Sequence, residues 1–179
     1  MSYAEPKVRI YLTSEQLLAR VKALGEKITA DLRGKPLVVI SIMKGGAMFA
    51  ADLVRHIDLP MEMEYLYARS YSGSKSTGIV EVERIPRLDL KGKNLLLIED
   101  IIDTGLTMDT IKVEMSKLGP EKVLLCSMLS KPARRVVETS IDYLGFEIPD
   151  EFVVGYGLDY NEDYRNLPYI GIYSEISES

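Results

Sequence analysis

Residues Leu95–Thr107 read LLLIEDIIDTGLT, and their interpretation decides the fold. The unbroken apolar run Leu95–Ile98 predicts a strand covered on both faces, as in a parallel sheet. Glu99 and Asp100 then fall at its predicted end, and Asp103, Thr104, Gly105, Leu106 and Thr107 form a tight turn. Met108, Ile111, Met115 and Leu118 recur at helical spacing, so a helix follows. Gly105 can take backbone conformations closed to larger residues. Free amides at the helix start, with the hydroxyls of Thr104 and Thr107, can receive a phosphate. The acids would repel that phosphate unless they held a sugar diol, a cation or a proton in transit. A diphosphate bridged by magnesium removes the conflict. Taken alone, the turn reads equally well as a structural cap. It is not a Walker A loop, because no Gly-Lys-Ser/Thr ends it.

Working outward, Thr13 and Gln16 have capping-box spacing ahead of Leu17, Val21, Leu24 and Ile28. Gly34 is the predicted helix stop. Leu37–Ile42 reads as a buried strand, and a second helix follows Gly45–Gly46 to about His56. Met61–Tyr67 has the alternation of a partly exposed strand. Tyr71–Gly78, with two glycines among small polar residues, reads as a mobile loop. Ile79–Arg84 and Lys122–Met128 are further strands. Repeated strand, glycine loop and helix units predict an α/β fold: a twisted, mainly parallel sheet flanked by helices, with ligands at the carboxyl ends of its strands. From about Ile148 the pattern changes. Residues 148–179, with some N-terminal contribution, are expected to form a small hood over those ends; an edge strand and ordinary loop is the alternative.

The 179 residues suit one domain. Cys126 is the only cysteine and His56 the only histidine, which rules out an internal disulfide and histidine or cysteine metal cages. Cys126 lies in an apolar run and is expected to be buried and structural; His56 reads as a helix-end residue. A net charge of −5 argues against nucleic-acid or anionic-membrane partners. No signal-peptide core or spanning apolar run is present, so a cytoplasmic location is expected.

Four separated segments carry a resemblance. LLLIEDIIDTGLT resembles the phosphoribosyl-diphosphate signature of the type I phosphoribosyltransferases, in the hypoxanthine–guanine branch, where two acids precede Ile-Ile-Asp-Thr-Gly. Met43-Lys44-Gly45-Gly46 is similar to that family's pyrophosphate loop, with methionine in place of the usual leucine. Ser70, Tyr71, Ser76, Thr77 and Gly78 match its mobile catalytic loop. Lys131 and the run from Ile148 through Phe152, Val153 and Asp159 match its base site, and Arg165 beyond them matches a pyrophosphate contact. The likeness spans roughly Tyr11 to Ile172.

The resemblance implies a purine-salvage transferase that joins hypoxanthine or guanine to 5-phosphoribosyl 1-diphosphate. It implies Mg2+ near Glu99, Asp100 and Asp159, with the two adjacent acids also near the ribose hydroxyls. Asp103 would face the purine N7 as acid–base residue, and Asp103–Thr107 would cradle the 5-phosphate. Met43, Lys44, Gly45 and Arg165 would serve the diphosphate, with a cis peptide bond between Met43 and Lys44. Lys131 would meet the 6-oxo group, Phe152 would stack on the base, and Val153 would read its edge. A homodimer or homotetramer is also implied. Read alone, Phe152 is a core residue, and Lys131 and Arg165 are surface cations. Xanthine, adenine or pyrimidine transferases are the nearest rival readings. A regulatory RNA-binding protein of the same fold is another, disfavoured by the lack of a basic stripe.

Overall fold

A computed structural model describes residues 8–70, 80–82 and 89–174. Strand β1 (Val8–Leu12) leads to helix α1 (Ser14–Leu32). The predicted box forms: Thr13 Oγ1 accepts the Gln16 amide at 3.3 Å, and the Gln16 side chain accepts the Thr13 amide at 2.9 Å. Leu17, Val21, Leu24 and Ile28 are all buried, and the helix ends just before Gly34. Strand β2 (Leu37–Met43), helix α2 (Gly46–Val54) and strands β3 (Met61–Ser70) and β4 (Val80–Val82) follow. Then come β5 (Asn94–Ile102), α3 (Leu106–Ser116), β6 (Lys122–Ser130) and a 3-10 turn at Pro132–Arg134. Strands β7 (Tyr143–Glu147), β8 (Val153–Val154) and β9 (Ile170–Tyr173) complete the described chain.

Six strands form the main sheet in the order β4-β3-β2-β5-β6-β7. All neighbours are parallel except the edge pair β3 and β4. The mainly parallel sheet flanked by helices is thus present. Successive side chains alternate between two apolar layers, as the period of two requires. Leu37, Val39, Leu96 and Ile98 pack with α1 and α2. Val38, Ile40, Leu95 and Leu97 pack with Met108, Ile111 and Met115 of α3.

Two boundaries differ from the sequence expectation in an informative way. Strand β5 does not stop at Ile98 but runs through both acids to Ile102. Its ladder with β2 ends at Ser41 and Ile98, while pairing with β6 continues to Ile102 and Ser130. The apolar run therefore marks only the portion with a neighbour on each side. Glu99 and Asp100 begin where β2 departs and one edge of β5 opens. Helix α2 ends at Val54, leaving His56 just beyond it.

A smaller antiparallel sheet, in the order β1-β9-β8, joins the first and last described strands. Val8 pairs with Tyr173, and Val153 with Ile172. The segment between β8 and β9 meets the turn after β2, where Lys44 pairs with Glu162, and helix α2, where Tyr156 bonds Asp52. Among the described residues, no helix is long and apolar enough to cross a membrane. Cys126 is buried, and burial pushes its thiol far above the ordinary range.

Candidate active site

The turn after β2 and the acids of β5 are pressed together. The Met43–Lys44 peptide bond is cis, and Gly45 caps α2. A side chain on Gly45 would overlap Asp100 Oδ2, so glycine is required by close approach there. Glu99 and Asp100 stand side by side at this junction. Burial, reinforced by the neighbouring Asp100 charge, holds the Glu99 carboxyl well above the usual range. Burial also raises Asp100, opposed by hydrogen bonds from Glu99 and the Ile101 amide and by the Arg165 charge. Desolvation of the two adjacent carboxyls disfavours their charged forms, which accounts for the direction of both shifts.

Beyond β5 the chain turns sharply at Gly105, whose φ of 87° is a conformation side chains rarely adopt. That turn opens α3 around a concavity of about 150 Å³ lined by Glu99, Asp103, Thr104, Gly105 and Thr107. Its floor is braced from behind, because the amides of Val136 and Val137 donate to Thr104 O at 2.9 and 3.1 Å. The Leu106 amide donates to Thr104 Oγ1 at 3.4 Å, and a helix start of this kind, with threonine hydroxyls beside it, has the donors that an anion needs.

A second concavity of about 410 Å³ shares Asp100 and Asp103 with the first and adds Lys131, Phe152, Val153 and Asp159. Lys131 is only 7% exposed, contrary to a surface lysine. Its Nζ lies 3.8 Å from Asp150 Oδ1. Phe152 is 50% exposed and therefore not a core residue. Its ring edges against Tyr160 and Tyr173, at 5.7 and 6.0 Å between centroids, and those two tyrosines stack on each other. One ring face can then be offered to a flat ligand.

Arg165 is largely enclosed, donating to Gly157 O at 2.7 Å and pairing with Asp159 at 2.8 Å. Lys44 reaches across to Glu162, its Nζ 2.8 Å from Oε2; that contact holds the Glu162 carboxyl below its usual range. Glu99, Asp100, Asp103 and the turn of Thr104, Gly105 and Thr107 are thus brought together with Lys131, Phe152 and Val153. Asp159 lines the same cleft, but its carboxylate is committed to Arg165 and the Glu162 amide. No three acidic, histidine or cysteine side chains among the described residues converge as a metal cage. Ser70 is the last residue of β3; Tyr71, Ser76, Thr77 and Gly78 lie outside the described residues.

Three charged residues escaped the sequence reading: Glu162, Asp150 and Arg134, the last with its Nε 2.8 Å from Asp103 Oδ1. No local pattern marks them, since their partners come from distant segments.

Residues 8–161 match the family model described as the phosphoribosyl transferase domain. The chain is similar to the hypoxanthine-guanine phosphoribosyltransferase of Streptococcus pneumoniae, 41% identical over 93% of each chain. It is 42% identical to the hypoxanthine phosphoribosyltransferase of Haemophilus influenzae, over 92% of this chain and 94% of that one. A crystal structure of the Staphylococcus aureus hypoxanthine phosphoribosyltransferase superposes with a TM-score of 0.90 at 41% identity, covering 95% of this chain and 92% of the other.

Proposed function

The chain belongs to the phosphoribosyl transferase family, and from that premise we propose that it is a purine-salvage transferase. It joins hypoxanthine or guanine to 5-phosphoribosyl 1-diphosphate, giving inosine or guanosine 5-monophosphate and pyrophosphate. One observation carries this reading. Two concavities adjoin, one at the start of α3 and one lined by Lys131 and Phe152, and Asp103 lines both. A phosphorylated sugar seated in the first would point its C1 toward a base held in the second.

Each residue then has a task. The amides and hydroxyls of Thr104, Gly105, Leu106 and Thr107 hold the 5-phosphate. Glu99 and Asp100 receive the ribose hydroxyls. Met43, Lys44, Gly45 and Arg165 accommodate the diphosphate, with Lys44 exchanging Glu162 for the leaving group as charge grows on it. Phe152 stacks on the base, Lys131 donates to its 6-oxo group, and the Val153 backbone reads its edge. Asp103 accepts the N7 proton as N9 attacks C1. The hood is assigned to the segment from about 148, with some N-terminal contribution, and exclusion of water from the sugar to Ser70, Tyr71, Ser76, Thr77 and Gly78.

The acids fit a magnesium ion. They offer hard oxygen donors, and burial keeps the adjacent Glu99 and Asp100 carboxyls above their usual range although the Arg165 charge acts on Asp100. Magnesium is commonly held by one or two carboxylates plus substrate phosphates, so a full protein cage is not required. Glu99 and Asp100, with Asp159 behind them, would hold it, and it would supply charge neutralisation for the diphosphate. The reaction suits the cytoplasm, and a homodimer or homotetramer, checked by light scattering, is the expected assembly.

The test is nucleotide formation from phosphoribosyl diphosphate, Mg2+ and each of hypoxanthine, guanine, xanthine and adenine. Product from the first two, reduced by about 10² to 10⁴ in Asp103→Asn, supports the reading. Activity with xanthine or adenine alone overturns the base assignment, and none at all from folded protein overturns the transfer.

A further inference from the structure

Arg134 lines the base cleft but has no part in the tasks above. It sits in the 3-10 turn after Lys131, and that turn is pinned on both sides. The Arg134 amide donates to Lys131 O at 3.1 Å, and Val136 N to Thr104 O at 2.9 Å. Between them Arg135 Nη2 donates to Ser130 Oγ at 2.7 Å. The backbone at Arg134 is therefore held, and its side chain reaches two carboxylates. Its Nε lies 2.8 Å from Asp103 Oδ1, and its Nη1 lies 3.4 Å from Asp150 Oδ1. The same Asp150 oxygen is 3.8 Å from Lys131 Nζ. Asp103, Arg134, Asp150 and Lys131 thus form a chain of alternating charges, in which Asp103, Arg134 and Lys131 line the cleft. Asp103 Oδ1 is shielded from solvent and, among the described residues, receives no well-aligned hydrogen bond, only this ion pair.

The arrangement contributes little to stability. Arg134 and Asp150 are about half exposed, at 48% and 50%, and exposed pairs are weak. Its value changes when a flat base fills the cleft and removes water, because the same charges then interact in a poorer dielectric. Arginine suits the task, since its planar fork can hold two carboxylates at once and keeps its charge.

We propose that Arg134 is a positioning residue for the transfer. By tethering Oδ1 of Asp103 it presents Oδ2 to the base, and through Asp150 it fixes the spacing between Asp103 and Lys131. One edge of the base then meets an acceptor and the neighbouring edge a donor in fixed register. The inference rests on the transfer reading above.

The experiment is a kinetic double-mutant cycle with hypoxanthine, using Arg134→Gln, Asp103→Asn and the pair together, alongside Arg134→Lys and Asp150→Asn. In Arg134→Gln, kcat should fall about 10- to 100-fold with KM for phosphoribosyl diphosphate unchanged. In the Asp103→Asn background the same change should have no further effect on kcat. Arg134→Lys should recover part of the loss, because a point charge restores one contact but not the fork. Asp150→Asn should lower kcat in the same manner and serves if Arg134→Gln does not fold. Additive losses, an unchanged kcat or a matching rise in diphosphate KM would each overturn the inference while leaving an active transferase. An intact protein inactive with every base would overturn the transfer reading, and this inference with it.

Discussion

Glu162 holds the Nζ of Lys44 at 2.8 Å, joining the turn after β2 to the segment that folds over it. The proposed diphosphate must displace that carboxylate to reach the lysine. Glu162→Gln removes the competitor and should tighten phosphoribosyl diphosphate binding about twofold or more at low salt, with the gain fading as ionic strength rises. Isothermal titration at two salt concentrations would show it; equal or weaker binding in the variant would refute the competition.

A second expectation concerns Gly45. A methyl group there has no room beside Asp100 Oδ2, so Gly45→Ala must push the acid or the turn aside. Overpacking of this kind costs about 1–3 kcal/mol. Displacing a positioned group by about 1 Å can cost about 10² in rate. The variant should fold, with a modestly lowered melting temperature, and lose most of its kcat/KM. Activity near that of the intact protein would show that Asp100 has slack.

The third concerns Tyr156, whose Oη donates to Asp52 Oδ2 at 2.8 Å and so ties the segment after β8 to α2. Tyr156→Phe should cost about 0.5–1.5 kcal/mol near neutral pH. Burial, with the Asp52 contact adding to it, raises the phenol well above its usual range. An unfolded tyrosine ionises near about pH 10. Above that pH the folded state therefore holds more protons than the unfolded one, and stability falls as pH rises. The phenylalanine variant lacks this loss, so the two proteins should converge in alkali. Urea unfolding at about pH 7 and about pH 10.5 decides the matter; a constant difference would mean that the phenol titrates normally.

Much of this architecture was legible because burial leaves a pattern. Leu95–Ile98 is apolar without a break since both faces of β5 are covered there, and the Thr13 box fixes the start of α1 by local bonding alone. Strand β7 escaped notice. Its YLGFE carries a glycine and a charged end, and as an edge strand it pairs only with β6. Burial of individual site residues was also illegible. Nothing near Lys131 announces that it is enclosed, nor near Phe152 that it is half exposed. Those facts depend on what the segment from 148 onward covers. The ion pairs were hidden for the same reason. Lys44 and Glu162 are 118 positions apart, and only the folded chain makes them neighbours. The family resemblance pointed to the matched positions, but it was silent on Glu162, Asp150 and Arg134.

The pairing of Val8 with Tyr173 sets an order of events during folding. The neighbours β5 and β6 can meet after closing a short stretch of chain, whereas β1 and β9 must close a loop spanning nearly all the described residues. Long loops cost more entropy and distant pairings form slowly. In a refolding experiment the helices and main sheet should return first, and the segment that positions Phe152, Asp159 and Arg165 only when the small sheet zips shut. Catalytic competence would then lag behind compactness, which makes the moment of chain closure the rate-determining event for activity.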